Sequence, residues 1–177
     1  MMTGLPQLTG GGRYIPLQSG ISFAAGGLTV LALPPFSWLI AVPVAFSALF
    51  LVLRRVSTAP AFFIGWVFGM GQFGFGIFWI AESFYVDSER FGALAIPVVA
   101  GLPAGLAIFP AMSAMLFAAI MQRQGAGRIA AGLLIATFWA ATEWLRGHIL
   151  TGFPWQLAAC GLVGHAALLQ PAARVEI

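Results

Sequence analysis

The chain has 177 residues, of which 60% are hydrophobic and only 7% charged, and its mean hydropathy is +0.97. A water-soluble domain carries about a quarter of its residues as charges, so this composition argues against a soluble fold and for a bilayer. The net charge of +3 and the pI near 10 come from arginines scattered in ones and twos, with no lysine at all, which fits helix-end arginines that orient a membrane protein better than a nucleic-acid surface. The single cysteine, Cys160, excludes an intrachain disulfide. At roughly 20 residues per span the length allows about five transmembrane helices plus the start of a sixth, giving an all-α membrane protein with no soluble domain.

Residues 1–14 are polar and glycine-rich with Arg13 as their one charge, and are expected to form a disordered cytoplasmic tail. A signal peptide is not expected, because the apolar run starts late and is the first of several. Five helices are expected over residues 15–148. The first covers about Ile15 to Leu33, with Pro16 in its first turn and Pro34-Pro35 as its stop. The second, about Phe36 to Leu53, ends in Arg54-Arg55; the tight connection predicts an antiparallel hairpin, and Pro43 predicts a kink.

The third span runs from about Pro60 to Ala81, and Gly65, Gly69, Gln72, Gly76, Trp79 and Ser83 recur on one stripe of it. Gly65 and Gly69 form a GxxxG pair. Together with Gly76 they predict a face where another helix packs closely, with Gln72 bonding across the interface. Trp79 has two readings, an interfacial anchor or a wall of a lipid-access groove. Glu82, Asp87, Glu89 and Arg90 read as a solvated connector. The apolar run 91–121, interrupted by Pro97, Pro103 and Pro110, exceeds one bilayer width and predicts a kinked or tilted fourth span from about Ile96. A polar turn, Gln122 to Arg128, leads to a fifth span over Ile129 to His148.

Residues 149–177 are apolar but broken by Gly161, Gly164, His165 and Pro171, and are expected to form a periplasmic re-entrant or interfacial segment, truncated before a sixth helix crosses. With five spans, Arg13, Arg54, Arg55, Arg123 and Arg128 fall on one side, which the positive-inside rule makes cytoplasmic together with the amino terminus.

The most specific stretch is Thr142-Glu143-Trp144-Leu145-Arg146-Gly147, followed by Leu150-Thr151-Gly152-Phe153-Pro154-Trp155. Charges near a membrane helix need partners. Glu143 and Arg146 are three residues apart and are expected to form a structural ion pair; alternatively, the Arg146 fork grips a lipid phosphate. Gly152, Phe153, Pro154 and Trp155 form either the lining of a lipid entrance or a rigid interfacial corner.

These two motifs, with Pro34-Pro35-Phe36 and Phe78-Trp79-Ile80, resemble the membrane part of bacterial apolipoprotein N-acyltransferases over roughly Leu31 to Pro171. The resemblance favours the groove for Trp79. It implies an enzyme of the inner membrane that moves a fatty acyl chain from a phospholipid to the amino-terminal diacylglyceryl-cysteine of an apolipoprotein. The reaction would pass through a thioester on the cysteine of a Glu-Lys-Cys triad in a nitrilase-like domain, where the thiolate takes the acyl group, the carboxylate moves protons and the lysine stabilises the oxyanion. None of these catalytic residues carries over, since the chain has no lysine and Cys160, in Leu157-Ala158-Ala159-Cys160-Gly161, reads as a buried structural thiol. His148 and His165 are isolated, so neither a metal nor a cofactor is expected. The chain is therefore expected to be the membrane portion of such an enzyme and inactive alone. The alternative is a small polytopic transporter or membrane scaffold. It would need broken helices meeting polar groups at the midplane, whereas the charges here fall at helix ends.

Overall fold

A computed structural model of the chain describes residues 15–149, 156–162 and 170, and the regular structure among them is helical, with no strands. The helices are α1 (Ile15–Leu28), α2 (Ala41–Leu53), α3 (Thr58–Gly76), α4 (Ile80–Tyr85), α5 (Ser88–Leu106), α6 (Ile108–Gln124) and α7 (Arg128–His148). Two short 3-10 turns, Thr29–Ala32 and Ala158–Leu162, complete the described elements. By length and composition, Ile15–Ala32 and Ser88–Gln124 could cross a membrane; α2 is apolar but shorter.

Helix α3 is the centre of the bundle. It packs most extensively against α1 on one side and α6 on the other, while α7 packs on α6 and α2 on α1. The reason lies in its glycines, which let backbones meet. A β-carbon at Gly71 would strike the carbonyl oxygen of Phe23, and one at Gly26 would strike that of Phe68, so α1 and α3 touch main chain to main chain. On the opposite side a β-carbon at Gly65 would lie 2.7 Å from the carbonyl oxygen of Pro110, and one at Gly69 would lie 2.7 Å from Cα of Ala107. Buried alanines extend these contacts through Ala25, Ala61, Ala114 and Ala118, and Phe68, Phe117, Leu49, Leu53 and Ile64 fill the space between them.

Several helix ends differ from the sequence expectation. Helix α2 begins at Ala41, five residues later than Phe36, because the chain first turns through Ser37, whose φ is 52°, and Trp38. Pro43 consequently occupies the first turn of α2, where its missing N–H costs nothing, rather than the interior position for which a kink is expected. Helix α3 stops at Gly76 rather than Ala81, so Trp79 and Ser83 leave the stripe projected from a longer helix. The connector expected over residues 82–90 is largely helical, belonging to α4 and the start of α5, although all its residues except Phe84 are exposed.

The long apolar run forms two helices instead of one. Ala107 separates α5 from α6, three residues before Pro110, whose ring would clash with the Leu106 carbonyl in a continuous helix. The break is slight, with Ala107 N–H donating to Pro103 O at 2.8 Å and Ala111 N–H to Ala107 O at 3.1 Å. Trp66 of α3 closes it from the side: its indole N–H donates to the Ala104 carbonyl at 3.0 Å, in the last turn of α5 where helix carbonyls lack partners.

The fifth expected span matches α7 to within one residue. The turn before it is Gly125 to Gly127, and Gly125 has a φ of 62°, which a residue with a side chain would adopt only with strain. The expected tail over residues 1–14, and most of the segment after Ile149, lie outside the described residues.

Candidate functional site

Trp139, Thr142, Glu143 and Arg146 recur at helical spacing and form the inner face of the last two turns of α7. Trp144 and His148 stack on the opposite, exposed face, with ring centroids 4.3 Å apart. The inner face is anchored by Trp139, whose ring meets Phe46 edge-on at 4.6 Å and Phe68 at 5.5 Å, joining α7 to α2 and α3. Thr142 satisfies its hydroxyl locally, donating to Trp139 O at 3.0 Å.

Arg146 is only 3% exposed, and its guanidinium carbon lies 5.1 Å from the centroid of the Phe73 ring on α3. A planar cation over an aromatic face gains electrostatic attraction and keeps its edge for hydrogen bonding. Glu143 and Arg146 both line a small cavity with Gln72, Phe73, Pro110 and Trp139. The cavity has room for about one water molecule, not an acyl chain. One carboxylate oxygen of Glu143 accepts a hydrogen bond from Ala158 N–H at 2.8 Å, at the start of the second 3-10 turn.

Gln72 and Gly76 of the projected stripe also face this turn. Gln72 Nε2 donates to the Gln156 carbonyl at 3.2 Å, and a β-carbon at Gly76 would collide with the Gln156 side chain. The stripe is thus divided: Gly65 and Gly69 against α6, Gln72 and Gly76 against the chain that follows α7. Trp79 is 43% exposed and immediately precedes α4. Cys160 is half-buried in the turn rather than enclosed in the core. Gly152, Phe153, Pro154 and Trp155 lie outside the described residues.

Two features escape sequence reasoning. The close α1–α3 approach needs glycines on both helices, Gly26 against Phe68 and Gly71 against Phe23, and only the GxxxG spacing within α3 is visible locally. The partners of Glu143 and Gln72 are backbone groups, which leave no residue-type signal.

The class of protein defined so far is an all-helical bundle of long apolar helices in close backbone contact around one cluster of buried charge. Residues 25–175 match the family described as "Apolipoprotein N-acyltransferase N-terminal domain". The chain belongs to that family. It is 39% identical over 166 residues to the apolipoprotein N-acyltransferase of Rhizobium etli, covering 88% of this chain and 30% of that protein. Against the enzyme of the same name from Caulobacter vibrioides it is 38% identical over 141 residues, covering 77% of this chain and 26% of the relative. The Brucella suis protein of that name is 39% identical over 163 residues, covering 85% and 28%. The chain therefore spans about 30% of the length of these relatives.

Proposed function

We propose that this chain is the membrane portion of an apolipoprotein N-acyltransferase, the enzyme that moves a fatty acyl chain from a phospholipid to the amino-terminal diacylglyceryl-cysteine of a bacterial lipoprotein. The observation that carries this is the family match over residues 25–175. The transfer chemistry needs a nucleophile activated by nearby groups and a donor for the oxyanion. Here the only thiol, Cys160, is in a structural turn, and no lysine is present, so the 177 residues alone are inactive and the catalytic triad belongs to the remainder of the complete enzyme.

A membrane setting is supported by the outer faces of the helices. Leu17 and Ile21 of α1, Val44 and Leu51 of α2, and Ile129 and Leu133 of α7 are large, apolar and exposed, where a soluble bundle would carry polar residues. Every charged side chain among the described residues is exposed apart from Glu143 and Arg146, and none of the exposed ones lies in the middle of α1, α2, α3, α5, α6 or α7. In this reading α1, α2, α3, the α5–α6 pair and α7 make five crossings of the bacterial inner membrane, with the amino terminus and the Arg54-Arg55 and Arg123–Arg128 turns in the cytoplasm. The charged end of α7 and the Gly152–Trp155 motif then face the periplasm. Trp79 and that motif are the candidates for lining the path of the phospholipid donor. Arg146 serves the bundle rather than a lipid phosphate, because its guanidinium is enclosed over Phe73.

The test is to isolate the native gene product from membranes and measure acyl transfer from phospholipid to a diacylglyceryl-cysteine peptide by mass spectrometry. A product of the relatives' length that acylates the peptide, beside an inactive 177-residue chain, is expected. A full-length product with no such activity would overturn the proposal.

A further inference from the structure

The chain after α7 is fixed to the bundle at four points contributed by three elements, α7, α3 and the 3-10 turn after α1. Glu143 on α7 accepts from Ala158 N–H at 2.8 Å. Gln72 on α3, itself 4% exposed, donates to the Gln156 carbonyl at 3.2 Å. The Gln156 side chain lies directly on Gly76, which has no β-carbon to obstruct it. Gly161 sits under the turn after α1, where an added β-carbon would come within 3.1 Å of Cβ of Ala32. Gln156 also has a φ of 56°, a left-handed conformation that a residue with a side chain keeps only when its surroundings hold it there. Hydrogen bonds from side chains of two helices to main-chain groups two residues apart are a means of doing so.

We propose that Gln72 and Glu143 are positioning residues that act as one clasp: together they hold the Gln156–Leu162 stretch against α3 and α7. Gln72 fixes the strained entry residue. Glu143 fixes the first N–H of the 3-10 turn, a donor that no intrahelical carbonyl satisfies. Each clamp bonds backbone, so the device depends on the identities of residues 72 and 143 and not on the side chains of the turn, which are chiefly alanine and glycine. The proposal deepens the acyltransferase reading by naming two positioning residues of its membrane part. Its test reads no acyl transfer, so failure of the clasp and failure of that function are separable.

Cys160 lies on the clasped turn, is half-buried, and is the only cysteine of the chain, which makes it a native reporter. Membranes containing the 177-residue chain are treated with N-ethylmaleimide and the rate of Cys160 modification is followed by mass. Gln72→Leu and Glu143→Gln are each expected to raise the rate about threefold to tenfold, the effect of losing or weakening one hydrogen bond, and the double variant to raise it further. Gly76→Ala, which touches neither clamp but displaces Gln156, is expected to give the same increase. Helix content by circular dichroism stays unchanged in all four. An unchanged rate in the double variant and in Gly76→Ala would overturn the clasp. So would a general loss of helix content, since these residues would then be holding the bundle instead of the turn.

Discussion

Glu143 carries two obligations that its position in the sequence displays only in part. Its neighbour at i+3, Arg146, is visible as a charge of opposite sign on the same face. Its hydrogen bond to Ala158 N–H is not, because a main-chain donor fifteen residues away has no signature in residue type. Truncating the side chain therefore removes a counter-charge from a buried guanidinium and leaves a partly buried N–H without an acceptor. Glu143→Ala is expected to lower the stability of the bundle by about 1–3 kcal/mol, measured as a fall in the melting temperature in detergent. An unchanged melting temperature would mean that neither interaction contributes. Arg146 illustrates the converse. Sequence offers a lipid phosphate or an ion pair, and the structure supplies a third feature, the Phe73 ring beneath the guanidinium. A cation–π contact between residues this far apart in the chain cannot be read from spacing.

Among the elements, α3 shows how one glycine-rich helix serves three neighbours. Gly71 meets α1, Gly65 and Gly69 meet α6, and Gly76 meets the turn after α7. Local periodicity exposes the GxxxG pair but does not say which glycines are pressed against a backbone. The difference is measurable. Gly71→Ala places a methyl group against the Phe23 carbonyl, and overpacking of that kind costs about 1–3 kcal/mol or more. Gly132→Ala on α7 meets nothing within 4 Å and is expected to stabilise its helix by about 0.5–1 kcal/mol. Opposite signs in the two melting-temperature shifts are the expected result, and two equal losses would contradict the packing. Prolines divide in the same way. Pro43 and Pro110 each fall in the first turn of a helix, α2 and α6, whereas Pro97 and Pro103 remain inside α5. The first turn tolerates a proline because its N–H has no intrahelical partner to lose, while each interior proline of α5 removes one i→i−4 hydrogen bond.

For the whole molecule the proposed orientation makes a direct prediction. In a Cys160→Ala background of the 177-residue chain, cysteines introduced at Arg55 and Arg123 are expected to react with an impermeant maleimide only after the cytoplasmic face is opened. One introduced at Glu89 is expected to react in intact cells with a permeable outer membrane. All three residues are exposed, so accessibility reports the side of the membrane and not burial. Labelling of Arg123→Cys from outside would reverse or abolish the five-crossing arrangement. In the proposed arrangement the buried charges gather at one end of α7, where Arg146 lies over the Phe73 ring and Glu143 accepts from Ala158 N–H, near a membrane surface rather than at mid-span, where isolated charges would be costly.

What the sequence determined by itself was whatever depends on composition and near neighbours. The helical class, the polar turn between α6 and α7 and the bounds of α7 to within one residue all follow from hydropathy and from residues within a few positions of one another. The family was legible too, because Thr142–Gly147 and the Gly-Phe-Pro-Trp run are specific strings. Only the tertiary structure decided which faces of α3 meet which helix, where the long apolar run breaks, and what Gln72 and Glu143 hold. Those contacts join residues as far apart as Gln72 and Gln156, 84 positions along the chain. Such a pairing depends on how every intervening helix packs, and a local pattern carries no record of it.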